Sequence, residues 1–358
     1  MTLPNPMTVT VLGAGAMGSA LCTPLRARGH TVRLWGTPLD EDILTALEGG
    51  LPHPRTGEHL ADGTELVHDP DLESALADAD VVVVAVSSDG VRSIVERAAP
   101  LMGRAQALAL TTKGFLRDAE GTVRLLPESI ERIFSDSAAV PPPIVAIGGP
   151  CKANEVAASR PTAAVFGCSD IDVARSIAGA VETDGYRIHV TDDDRGVEVA
   201  APLKNVYAIA LGFADGLTTR TGQPWHDLRS AVFSKAVDEI ADMTEALGGS
   251  ARTAWGLSGV GDLEVTGLSG RNKVFGERLG SGEAPAEALQ KMIDAHQTVE
   301  GVPASGLAVA LASQLFDDAA SRLPLLHAIR RIVEGCDDPL LVLTTAALPP
   351  LQASGSSR

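Results

Sequence analysis

Two sets of residues in this chain have the types and spacing for chemistry. The turn GAGAMG sets glycines at Gly13, Gly15 and Gly18, directly after the apolar run Val9–Leu12 and at the head of a helical stretch. In that setting the first glycine permits a tight turn, the second lets backbone approach a pyrophosphate, and the third allows helix packing. The amides of Ala16 and Met17, at the helix start, would meet the phosphate charge. Far downstream, Lys204 lies in the apolar segment APLKNVYAIALG and shares a helical face with Ala200, Ala201, Ala208 and Leu211. An amine on so apolar a face is expected to be partly desolvated, which lowers its pKa and lets it exchange a proton near neutral pH. A lysine snorkelling at a helix end is the plainer alternative. Together the two sets point to hydride transfer: when hydride leaves a carbon, the hydroxyl proton needs a base, and in reverse an ammonium can polarise the carbonyl.

Asp262, in GVGDL, is flanked by glycines and apolar residues, as expected for a carboxylate held in a tight turn; helix capping is its commoner use. Beside Lys204 it would orient the ammonium. Nine residues on, Arg271 in SGRNK can grip a phosphate bidentately, with helix-start amides as further donors. Where an NAD-specific site carries an acid at the end of its second strand, this chain has Gly36 and Thr37, and the nearby Arg33 is expected to point to solvent. NAD and NADP both remain open as cofactor.

These residues need elements to position them. Strands are expected at Val9–Leu12, Thr31–Trp35, Glu65–His68, Val81–Val86, ALAL before Thr111, IVAIG after Pro143, Pro161–Phe166 and Tyr186–Val190, with helical patterns between them. Unbroken apolar strands alternating with helices imply an α/β fold, a doubly wound parallel sheet covered on both faces. After the polar turn TDDDRG strand signals fade, and helical periodicity with Gly and Pro punctuation predicts an all-α C-terminal domain. The expected division is residues 1–195, 196–348 and a disordered tail over 349–358.

With 358 residues, 45% of them hydrophobic, the chain has material for two cores. A net charge of −17 argues against nucleic-acid or anionic-membrane partners. Only six of its 29 basic residues are lysine, which draws attention to where lysine is kept. Four scattered cysteines fit reduced thiols better than disulfides or a zinc site, and no metal is expected. No export signal is recognisable and no apolar run reaches the length of a spanning helix, so a cytoplasmic location without membrane insertion is expected.

The segments GAGAMG (13–18), VSS (86–88), TTKG (111–114), GGPCKANEVA (148–157), APLKNVYAIALGFADG (201–216), GLSGVGDLEVTGLSGRNKVFG (256–276) and VEGVPA (299–304), in this order, resemble the NAD(P)-dependent glycerol-3-phosphate dehydrogenase family over roughly residues 8–348. The resemblance implies a Rossmann-type sheet domain followed by a helical one. It also implies a small phosphorylated substrate, dihydroxyacetone phosphate or sn-glycerol 3-phosphate, whose product serves phospholipid biosynthesis. It implies that Lys204 is the base or acid, supported by Lys113 and Asp262, and that Ser87, Lys113, Arg271 and Glu300 contact the cofactor. Asn205, Thr266, Arg271, Asn272 and Lys152 would line the substrate side, and a homodimer is the expected assembly.

The chain departs from the family pattern at Cys151 and Lys152, where GPSFA is usual, and at Asp227, Lys235 and Ala236. Pro202, two residues before Lys204, is expected to distort or start its helix. These departures leave two alternatives: a paralogue acting on another phosphorylated or polyol ketone, and a non-catalytic dinucleotide sensor, against which the retention of Lys113, Lys204 and Asp262 counts.

Overall fold

The VVVV run shows how the sequence builds the sheet. In the computed structural model, which describes residues 6–351, Val81 and Val83 enter one buried apolar cluster with Val9, Val11, Ala107 and Ala109. Val82 and Val84 enter the cluster on the other face with Leu12, Leu108 and Leu110. Successive side chains of a strand point to opposite faces, so only a strand apolar at every position can fill two cores at once.

The strands are β1 (Thr8–Leu12), β2 (Thr31–Trp35), β3 (Glu65–Val67), β4 (Val81–Val84), β5 (Ala107–Leu110), β6 (Phe115–Arg117), β7 (Val123–Leu125), β8 (Ile144–Gly148), β9 (Thr162–Gly167) and β10 (Tyr186–Thr191). Eight form one sheet in the order β10-β9-β8-β5-β4-β1-β2-β3, and β6 and β7 make a separate antiparallel hairpin. The order reverses between β1 and β4, the kind of position where open α/β sheets bind ligands beyond the carboxyl ends of the strands. The turn after β1 is Gly13, and the turn after β4 leads to Ser87.

The sheet is not wholly parallel. β9 runs antiparallel to β8, while β10 pairs parallel to β9, so the last two strands are reversed. Only the short loop and helix from Gly149 to Pro161 join β8 to β9, and the one helix there spans Ala153–Ala157.

The chain divides into two compact units, Met1–Ala201 with Leu247–Asp262 and Pro202–Ala246 with Leu263–Arg358. The polar turn after β10, read as a boundary near residue 195, instead opens a helix, Asp194–Thr221, whose first eight residues belong to the first unit. Pro202 stands inside this helix rather than starting it, and its ring removes the amide that would bond the carbonyl four residues earlier. At 28 residues the same helix is long and apolar enough by composition to cross a membrane, contrary to expectation, but its apolar window is 100% buried inside the fold. The described part of the second unit is helical, including His226–Ala246, Arg271–Ser281, Gly301–Leu315 and Pro324–Glu334. Of the tail, 349–351 form no regular element and 352–358 lie outside the described residues.

Candidate active site

In the first unit the glycine turn has the shape that its sequence requires. Gly13 adopts φ +110° and lies against the Ala85 carbonyl, and a methyl group on Gly18 would overlap the Gly13 carbonyl oxygen. Beside Gly15 the space is open for 4 Å, and no side chain caps the helix Ala16–Ala27 that begins there. An uncrowded backbone next to uncapped helix-start amides fits a pyrophosphate, with Ala16 and Met17 half-buried at its edge. Ser87 is exposed at the start of the helix Ser88–Ala98, which likewise has no side-chain cap.

Two side chains that sequence reasoning missed hold this turn. Asp40 Oδ2 accepts from the Ala14 amide at 3.3 Å, and His53 bonds the Ala14 carbonyl through Nε2 at 3.0 Å. His53 Nδ1 accepts from the amides of Arg55 and Thr56, so Nε2 carries the ring proton and the imidazole is neutral. Burial, chiefly, holds its pKa below the usual histidine value. Neither contact is legible locally, because the partners lie 26 and 39 residues from Ala14.

Elsewhere in this unit Lys113 Nζ meets Asp262 Oδ2 at 2.8 Å, with the carboxylate side chain only 2% exposed. Lys113 follows β5, where Thr111 and Thr112 tie their hydroxyls to the Val84 and Val86 carbonyls. Asp262 starts a helix after a π turn, Leu257–Gly261, in which Gly259 is packed so tightly on the Ala254 carbonyl that no side chain fits. Such π turns recur at functional sites. A further carboxyl, Glu198, is buried on the helix Asp194–Thr221, and desolvation raises its pKa well above the carboxylate range despite the nearby Lys113. Asp194, four residues earlier, is raised for the same first reason. Lys152 is half-buried at the start of Ala153–Ala157. Arg33, expected in solvent, is turned back onto Glu65 and the carbonyls of Ala75 and Ala77.

In the second unit Lys204 is 5% exposed in the interior of its helix, not snorkelling from an end, and Ala208 and Leu211 on its face are fully buried. Asn205 Nδ2 donates to Glu300 Oε2 at 3.2 Å, while Arg271 bonds Thr298 Oγ1 at 2.5 Å and reaches Glu300 Oε1 at 3.5 Å. Asn272 Oδ1 accepts from the Gly301 amide at 2.8 Å. Asn205, Arg271, Asn272 and Glu300 are therefore gathered into one polar group, with Glu300 holding the Arg271 guanidinium. Thr266 is half-buried on Asp262–Ser269, where its carbonyl accepts from the Gly270 amide.

Backbone contact aligns this group. Methyl groups on Gly212 and Gly216 would overlap the carbonyls of Lys273 and Glu277, and methyls on Gly276 and Gly280 would overlap those of Ile209 and Phe213. The helices bearing Asn205 and Arg271 thus cross through glycines on both sides. Of the unusual positions, Lys235 stands 3.8 Å from the buried Glu239, Ala236 is fully buried and Asp227 is exposed.

With this geometry in view, residues 8–174 match the family model for the N-terminus of NAD-dependent glycerol-3-phosphate dehydrogenase, and residues 193–344 match that for its C-terminus. The chain belongs to this family. An Archaeoglobus fulgidus relative named NADP(+)-dependent glycerol-3-phosphate dehydrogenase is 37% identical over 91% of this chain and 95% of its own length. A glycerol-3-phosphate dehydrogenase of NAD(P)+ type from Hydrogenovibrio crunogenus is 33% identical over 94% and 93%. The solved glycerol-3-phosphate dehydrogenase of Coxiella burnetii superposes with a TM-score of 0.81 at 27% identity, covering 96% of this chain and 99% of that one. As a family member, the chain is an NAD(P)-dependent oxidoreductase acting on a CH–OH group.

Proposed function

We propose that this chain interconverts dihydroxyacetone phosphate and sn-glycerol 3-phosphate with NAD(P)H, in the cytoplasm and as a homodimer. What carries the reading is that both parts of the family model match a chain in which Lys204 and Asp262 are buried and Lys113 is paired with Asp262. The first unit, with its glycine turn, holds the dinucleotide. When bound, the nicotinamide supplies or receives the hydride.

The remaining chemistry is the protein's. Lys204 moves the proton of the substrate oxygen, a step for which a buried amine is suited because desolvation favours its neutral form. In the first unit Asp262 orients Lys113, whose ammonium is suited to stabilising negative charge. Arg271, with Asn205, Asn272 and Thr266, takes the substrate phosphate; Glu300 keeps the guanidinium aligned until the phosphate arrives. Ser87 and Lys152 border the dinucleotide and the substrate respectively.

The test is steady-state oxidation of NADH and NADPH by the purified, folded protein. Oxidation that depends on dihydroxyacetone phosphate is expected. Absence of turnover with that ketone, alongside turnover with another phosphorylated ketone, would overturn the substrate.

A further inference from the structure

Thr266 and Arg271 flank a corner at which two helices meet with one residue between them. Asp262–Ser269 ends, Gly270 follows in extended backbone, and Arg271–Ser281 begins without a side-chain cap. The last four carbonyls of a helix have no partner within it, so each must find one elsewhere. That of Thr266 is met by the Gly270 amide at 3.0 Å. The next, on the buried Gly267, is met from another helix: Arg229 Nη2, on His226–Ala246, donates to it at 3.3 Å. A guanidinium at this end also suits the negative pole of the helix dipole.

Arg229 is itself held. Its Nε stands 3.3 Å from Asp215 Oδ1, and the other oxygen of that carboxylate stands 3.5 Å from Lys273 Nζ. Lys273 lies in the first turn of the helix that Arg271 opens and also pairs with Glu277 one turn on. One carboxylate thus bridges a cation that caps the helix before the corner and a cation on the helix after it. Asp215 belongs to the helix Asp194–Thr221, about three turns past Lys204 and on the same face. Leu211, between the two on that face, packs directly on the corner: a methyl on Gly267 would lie 2.6 Å from Leu211 Cδ1 and 3.4 Å from Arg229 Nη2. All these residues lie in the second unit.

We propose, on the reading that this corner takes the substrate phosphate, that Arg229 and Asp215 are positioning residues for the reaction. They fix the corner against the helix face that bears Lys204, so that the phosphate and the reacting oxygen of one substrate are met together. A clamp displaced by even a fraction of an ångström meets one end of a small substrate at the expense of the other. A role in stability alone would lower the melting temperature without a selective loss of affinity for phosphate.

The experiment is steady-state kinetics with dihydroxyacetone phosphate, with inorganic phosphate as competitive inhibitor, for the natural chain, Arg229→Met, Arg229→Lys and Asp215→Asn. Nucleotide affinity and melting temperature are measured on the same proteins. Arg229→Met should raise the KM and the inhibition constant of phosphate together by about tenfold, while kcat falls by less than about threefold and nucleotide affinity stays within about twofold. Arg229→Lys keeps a cation between carbonyl and carboxylate and should recover most of the loss; Asp215→Asn should show the same pattern more weakly. Unchanged KM and phosphate inhibition in folded Arg229→Met overturn the proposal. So does a parallel fall in nucleotide affinity, which marks a general loosening of the fold. If Arg229→Met does not fold, the half-buried Asp215 decides by the same criteria through Asp215→Asn. If the natural chain does not turn over dihydroxyacetone phosphate, the substrate reading falls separately, and equilibrium binding of inorganic phosphate to the same proteins decides the role of Arg229. A natural chain that binds no phosphate overturns both.

Discussion

Glu239 accepts hydrogen bonds from the Leu325 and Leu326 amides and from the Tyr207 hydroxyl, yet burial outweighs these donors and pushes its carboxyl up to about 7. Its folded-state pKa thus exceeds the ordinary carboxylate value, and between the two the folded chain holds a proton that the unfolded chain has released. By linkage the contribution is full below the unfolded value and is lost as pH rises through about 7, a change on the order of 3 kcal/mol. Glu239→Gln carries no titrating proton. Its melting temperature should be lower at acidic pH but should decline less than that of the natural chain between about pH 5 and about pH 8. Parallel melting curves for the two proteins across that range would show that this carboxyl is not the titrating group. Tyr207 lies three residues after Lys204, so the same network fixes the face of the helix that bears the lysine.

Helices in the second unit depend on positions that look, in sequence, like interruptions. Glycine lowers helix propensity, and Gly212, Gly216, Gly276 and Gly280 read as punctuation when only periodicity is considered. All four lie inside helices, because the absent side chain lets two backbones touch, and that gain outweighs the propensity cost. The apolar strands and the GxGxxG turn were legible because their cause is local: alternation between two cores, and a bend that only glycine allows. The glycine crossing, the Asp40 and His53 clamps and the buried Glu239 were not, since each depends on a partner distant in sequence. A paired substitution separates the two roles of helical glycine. Gly276→Ala should destabilise the fold by about 1–3 kcal/mol, because its methyl overlaps the Ile209 carbonyl. Gly179→Ala, in Ile171–Val181 with open space around it, should stabilise by about 0.5–1 kcal/mol. Equal effects in chemical denaturation would refute the crossing as a determinant of stability.

Over the whole chain, the groups assigned to nucleotide and to proton transfer fall in different compact units. Gly13–Gly18, Asp40 and His53 belong to the first, and Lys204 belongs to the second. Within the first unit, Ala14 is held by Asp40 and His53, and Gly13 by the Trp35 carbonyl. Nucleotide affinity and turnover should therefore separate on substitution. Replacing a buried amine by an uncharged thioether chain of similar length avoids opening a large cavity, so Lys204→Met tests the chemistry with less risk to the fold than Lys204→Ala. Both variants should bind NADPH within about threefold of the natural chain, since the contacts to the dinucleotide are untouched. Both should lose turnover of dihydroxyacetone phosphate by about a hundredfold to ten-thousandfold, the range for removal of a general acid or base. A fall in kcat with little change in KM would place the loss in the reaction step rather than in substrate binding. Normal turnover by Lys204→Met would remove Lys204 from the proton transfer and leave the Lys113–Asp262 pair to account for it.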